Sequence, residues 1–168
     1  MEGVRGTRAL QWVQMIHLKR ILVPTDFSDS AKNALRYGVS FAEEYKAALL
    51  VLHVVETAAV GYASDLFPIP MTDVFREITT YARTELQAIV KEVTARGVSV
   101  EDLVVQGKPS SEIIRVASEK EVDIIVLGAH GKGVLDQALF GSTTERVVRR
   151  APCPVLTCRV KEHEFVES

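Results

Sequence analysis

The eight residues Ala48-Leu49-Leu50-Val51-Leu52-His53-Val54-Val55 constrain the fold more than any other stretch of this chain. All but His53 are apolar, and no polar position alternates with them. A strand with one wet face would alternate, because successive side chains point to opposite faces. A strand apolar on both faces needs cover on both, the condition inside a parallel sheet flanked by helices. Arg20-Ile21-Leu22-Val23-Pro24 and Ile124-Ile125-Val126-Leu127 have the same character. With 168 residues, 47% of them hydrophobic, the chain is long enough to build such a core as one domain.

Helical patterns fill the intervals between these runs. Ser28 is placed to cap a helix in which Ala31, Ala34, Leu35, Gly38, Phe41 and Ala42 share a face. Thr57 to Pro70 reads as a loop. The helix after it is expected to bury Val74, Ile78, Tyr81, Ala82, Ile89, Val90 and Val93, and to stop at Gly97. Val98 to Gln106 predicts a third strand. Ser110 or Ser111 is expected to open a short helix through Ile113, Ile114 and Ala117. Asp123 to Leu127 predicts a fourth strand, Thr143 to Arg150 a last helix with Arg149 and Arg150 at its negative end, and Pro154 to Val160 a fifth strand. Met1 to Gln14 breaks every period and reads as a poorly ordered leader. The domain is expected over residues 15–161, with a tail at 162–168.

Alternation of strand and helix predicts an α/β fold, an open and mostly parallel sheet with right-handed crossovers. Ligands of such sheets sit beyond the carboxyl ends of the strands, where strand order reverses. The candidate positions are then Pro24 to Asp26, Val54 to Glu56, Gly107 and Gly128 to Gly133.

One of these positions carries a pattern. Gly128-Ala129-His130-Gly131 follows a buried strand, and Gly141-Ser142-Thr143 follows after nine intervening residues, at a helix start. Glycines let backbone N–H groups approach an anion closely. A helix N-terminus adds unpaired N–H donors and a partial positive charge. The hydroxyls of Ser142 and Thr143 add further donors, so the arrangement points to phosphate. Two rival motifs fail. A P-loop needs a glycine five positions before its Gly-Lys pair, and Gly131-Lys132 has Val126 there. A dinucleotide fingerprint should follow the first strand, and Pro24 to Ser28 contains no glycine.

Other residues carry paired readings. Asp26 is either an acceptor for a nucleoside or a helix-capping or first-turn acid on the following helix. Lys132 either neutralises phosphate or is a solvated loop lysine, and His130 either reaches phosphate or is structural. His53 reads as a satisfied core or crevice-edge residue. No set of nucleophile, base and orienting group can be assembled, so no catalytic residue is assigned. No His, Cys and carboxylate cluster has metal-ligand spacing, and a divalent ion would ride on the phosphates.

Composition removes other classes. The net charge is -2, which gives no reason to expect nucleic acid or an anionic membrane as partner. No apolar run approaches the ~20 residues of a membrane helix. Cys153 and Cys158, five apart in one predicted strand, should lie on opposite faces, joined by neither disulfide nor metal. That usage suits a cytoplasmic protein.

Taken together, several segments resemble the universal stress protein family. They are Lys19 to Ser28, Leu52 to Val55, the glycine pattern, and Ala151-Pro152-Cys153-Pro154-Val155-Leu156. The likeness spans about Met15 to Val160. It implies a Rossmann-like sheet of five parallel strands in the order 3-2-1-4-5, and, because the glycine pattern is complete, ATP binding. Residue by residue it implies that Pro24, Thr25 and Asp26 meet adenine and ribose, and that the Val54 backbone reads the adenine edge. Leu127 and Gly128 would floor the ribose, while Gly131, Gly141, Ser142 and Thr143 would cradle phosphate. It further implies a homodimer through the strand Pro154 to Val160, which reads as a sheet edge. Functions left open are a nucleotide-binding regulator of stress response with an unidentified protein partner, a slow magnesium-dependent ATPase, and a dimeric module without nucleotide. ATP, AMP and a cyclic nucleotide all remain open as ligand.

Overall fold

A computed structural model describes residues 15–57, 70–130 and 140–160. The leader, most of the Thr57 to Pro70 segment, Gly131, Lys132 and the tail after Val160 lie outside the described residues. In chain order the elements are β1 (Arg20–Pro24), α1 (Asp29–Tyr45), β2 (Ala48–Glu56), α2 (Met71–Ala95), β3 (Val100–Gly107), α3 (Pro109–Glu119), β4 (Ile124–Gly128), α4 (Ser142–Arg150) and β5 (Val155–Cys158). The strands form one five-stranded sheet in the order β3-β2-β1-β4-β5, and every pairing is parallel. This is the implied order, with the reversal between β1 and β4.

Each strand's period of two separates the core into two layers. Ile21, Val23, Leu49, Val51 and Val126 pack with Ala34, Tyr37 and Ala42 of α1 and Leu86 and Val93 of α2. Leu22, Leu50, Leu52, Ile125 and Leu127 pack with Ile113 and Val116 of α3 and Val147 of α4. Cys158 joins the first layer and Cys153 the edge of the second, so the two thiols occupy opposite faces and are not joined by a disulfide.

Ser28 caps α1 as expected, its hydroxyl accepting the Ala31 N–H at 3.3 Å. Gly97 ends α2 with φ +82°, a left-handed conformation that glycine adopts without steric cost. Other expectations are corrected. Neither Ser110 nor Ser111 opens α3. Lys108 is the N-cap and Pro109 the first helical residue, where a fixed φ and a missing N–H cost nothing. Tyr81 is exposed on α2, and the buried stripe instead runs through Ala82, Leu86 and Val93. A helix turns about 100° per residue, so position 81 stands well off that stripe. The third strand begins at Val100 and the fifth spans only Val155–Cys158.

Candidate functional site

The reversal of strand order opens a crevice where the chain leaves β1 and β4 in opposite directions. On the β1 side the turn from Pro24 to Ser28 is tightly held. Thr25 continues the ladder by donating its N–H to Leu52 O at 2.8 Å. Its hydroxyl then accepts the Phe27 N–H at 3.0 Å, and Asp26 Oδ1 accepts the Ser28 N–H at 3.0 Å. Asp26 is thus neither the cap nor a first-turn acid of α1, whose N-cap is Ser28 and whose first-turn acid is Asp29; it holds the turn that precedes the helix. Phe27 is in the left-handed region at φ +63°, an uncommon conformation for a bulky residue. Its ring stacks on His53, with centroids 4.7 Å apart, and meets Tyr81 edge-on at 6.2 Å.

His53 has a second task, as its Nδ1 lies 2.9 Å from Thr25 O. A carbonyl only accepts, so Nδ1 carries the proton and the ring takes the acceptor that the next ladder bond would have used. Parallel pairing sends Leu52 toward β1 and Leu49 toward β3, and Val54 shares the parity of Leu52. Phe27 N–H is diverted to Thr25 Oγ1 and Thr25 O to His53. Among the described residues the backbone N–H and C=O of Val54 are therefore left facing the crevice without a β1 partner. These are the groups that the resemblance assigns to an adenine edge.

The β4 side is built on three consecutive carbonyls. Gly128 O accepts from Thr144 Oγ1 at 2.9 Å, Ala129 O accepts from the Gly141 N–H at 2.9 Å, and His130 O accepts from the Ser30 hydroxyl. Gly141 is the N-cap of α4 and no side chain caps it. The first turn of a helix has N–H groups with no intrahelical acceptor. Those of α4 are brought directly over the end of β4 by the bonds from Gly141 and Thr144. Ser142 is exposed and Thr143 half-buried at this opening. Gly128 supports the layer beneath. A Cβ there would lie 2.6 Å from Ser30 Oγ and 2.9 Å from both Ala31 N and Ser30 C. Its missing side chain is what lets the first turn of α1 sit against β4.

The structure thus brings Pro24, Thr25, Asp26, Val54, Leu127, Gly128, His130, Gly141, Ser142 and Thr143 to one end of the sheet. Gly131 and Lys132 lie outside the described residues. Ser30, Thr144 and Phe27 were not singled out from sequence, and His53 only as a satisfied core or crevice-edge residue. A cavity of about 550 Å³ beside α2, lined by Thr72, Arg76, Thr79, Arg83 and neighbours, and one of about 400 Å³ at the amino ends of the strands share no residue with this set. Among the described residues no group of His, Cys, Asp and Glu could hold a metal, and no helix is long and apolar enough to cross a membrane.

Known proteins are similar to this chain in sequence and fold. A sequence model of the Universal stress protein family matches residues 17–159. Universal stress protein MJ0577 of Methanocaldococcus jannaschii is 32% identical over 156 residues, covering 85% of this chain and 96% of the relative. A solved structure of hypothetical protein MJ0577 superposes with a TM-score of 0.78 at 32% identity, covering 88% of this chain and 100% of that one. The universal stress protein from Archaeoglobus fulgidus solved in complex with dAMP is 21% identical, with a TM-score of 0.59 over 86% of this chain and 99% of its own, a likeness of fold.

Proposed function

The chain belongs to the universal stress protein family, and we propose that it is a regulatory protein that binds ATP across the β1–β4 crevice. The observation that carries this reading is the pair of backbone features at the two ends of that crevice. Among the described residues Val54 presents an N–H and C=O without a β1 partner at one end, and α4 presents an N-terminus without a side-chain cap at the other. An adenine edge needs one donor and one acceptor side by side. A phosphate chain needs convergent N–H groups and positive potential. In this reading Thr25 and Asp26 line the ribose side with Pro24, Leu127 and Gly128 form the floor, and Gly141, Ser142 and Thr143 hold phosphate with Gly131. Magnesium, when present, is carried by the phosphates.

The proposal is one of binding rather than turnover. The buried crevice hydroxyls already have structural tasks, Ser30 on His130, Thr144 on Gly128 and Thr25 on Phe27. Occupancy of the site would change the surface offered to a protein partner. A second copy of the chain is assigned to the open edge of β5, the last strand of the sheet.

Calorimetric titration of ATP into the protein and into Gly141→Val tests the site. Gly141 has φ −69° and ψ 157°, which valine adopts without strain, so the variant should fold. Micromolar binding by the parent and none by the variant is expected. Equal affinities would remove the assignment. The edge is tested separately by light scattering. Bonds from Ile125 N–H to Pro154 O and from Ala129 N–H to Cys158 O show that even positions of β5 face β4, so Thr157 faces outward. Thr157→Pro should yield a monomer, and an unchanged dimer would refute that edge.

A further inference from the structure

Ser30 is 4% exposed, and its hydroxyl donates to a carbonyl 100 residues along the chain. Ser28 Oγ lies 3.3 Å from Ser30 Oγ. A serine hydroxyl has one proton, and that of Ser30 is committed to His130 O, which can only accept. The Ser28–Ser30 contact therefore runs one way, with the Ser28 O–H donating and Ser30 Oγ accepting. Ser28 is tied in turn to the β1 turn, because its N–H is held by Asp26 Oδ1. A continuous path of hydrogen bonds thus leads from Asp26, through Ser28 and Ser30, to the carbonyl at which the glycine-bearing loop departs. Thr144 is its counterpart on the other flank, also 4% exposed, with its hydroxyl on Gly128 O.

We propose that Ser30 and Thr144 are positioning residues for the phosphate end of the site. Their hydroxyls pin His130 O and Gly128 O, while Gly141 pins Ala129 O between them. Three successive peptide groups are held by donors from two segments, the first turn of α1 and the start of α4, which fixes the start of the loop relative to the α4 N-terminus before any ligand arrives. Neither side chain needs to touch the nucleotide. This role rests on the nucleotide reading above.

The test compares adenosine, AMP and ATP by calorimetry, because a positioning role acts on the affinity gained from phosphates. Ser30→Ala should bind adenosine within about twofold of the parent and lose about fivefold of the ATP affinity, the scale of one hydrogen bond. A second pair guards against a variant that fails to fold. Thr144→Val removes the hydroxyl at constant volume and should lose a similar factor for ATP alone, whereas Thr144→Ser keeps the hydroxyl and should restore it. Equal losses for adenosine and ATP, or no loss in either hydroxyl-free variant, would overturn the proposal while leaving the site reading intact. A parent protein that binds none of the three ligands would overturn both.

Discussion

Replacing Gly128 by alanine puts the packing of α1 on β4 to a quantitative test. The added Cβ would meet Ser30 Oγ at 2.6 Å and two backbone atoms, Ala31 N and Ser30 C, at 2.9 Å. A rotamer change relieves the first contact. It does not relieve the other two, so the first turn of α1 must move by about half an ångström to regain ordinary spacing. Overpacking of this kind costs about 1–3 kcal/mol. Displacing Ser30 also weakens its bond to His130, worth about 1 kcal/mol. The narrower unfolded ensemble of alanine offsets about 0.4–1 kcal/mol. The net loss should be about 2 kcal/mol, which a urea slope of about 1–3 kcal/mol/M converts to a midpoint lower by about 1 M. Adding Ser30→Ala should not rescue the variant, because the backbone contacts persist. A Gly128→Ala midpoint within about 0.2 M of the parent, or full rescue by Ser30→Ala, would refute the reasoning.

Two further outcomes follow from burial. Leu86→Ala should lose about 2–4 kcal/mol by urea unfolding, since Leu86 is fully buried between α2 and the sheet, whereas Tyr81→Ala at a 54% exposed site should lose under about 1 kcal/mol. A reversed order would overturn the assignment of the α2 stripe. Burial, helped by the Asp123 carboxylate and opposed by a backbone hydrogen bond with Ile125, pushes the Cys153 thiol above its ordinary value. The neutral thiol is then the form the fold favours. Its contribution to stability is present below the thiol's unfolded pKa and is lost as pH rises through the folded value. At about pH 8–9, mass spectrometry should find Cys153 alkylated by iodoacetamide more slowly in the folded protein than in urea, and equal rates would contradict this.

Much of the fold is legible because the strands are buried on both faces. β1, β2 and β4 are apolar apart from Arg20, His53 and Glu56, and β1 keeps its expected bounds to the residue. The strand order was implied by family resemblance and not by periodicity, since a parallel sheet leaves no mark of neighbour order in local sequence. Misreadings arose where one local signal outweighed another. Serine at 110 and 111 suggested a cap, but Pro109 starts the helix one position earlier. Tyr81 looked apolar enough for the core, but the geometry of a 25-residue helix favours Leu86. At the site, Gly128, Gly141 and the Thr25–Asp26 turn carried readable signals because backbone needs select residue types. Ser30 did not, because its partner is 100 residues away and serine near a helix start already has a local explanation. The Val54 backbone was named through the family resemblance and not from local pattern, because its lack of a β1 partner depends on His53 and Phe27 diverting the ladder.

Amide chemical shifts measured through an ATP titration locate the nucleotide on the sheet. The account predicts that the largest changes fall on Val54 at one end of the crevice and on Ser142, Thr143 and Thr144 at the other, with AMP moving Val54 alike and the α4 amides less. Saturable shifts confined to Thr72–Arg83 of α2, or none at Val54 and α4, would contradict it.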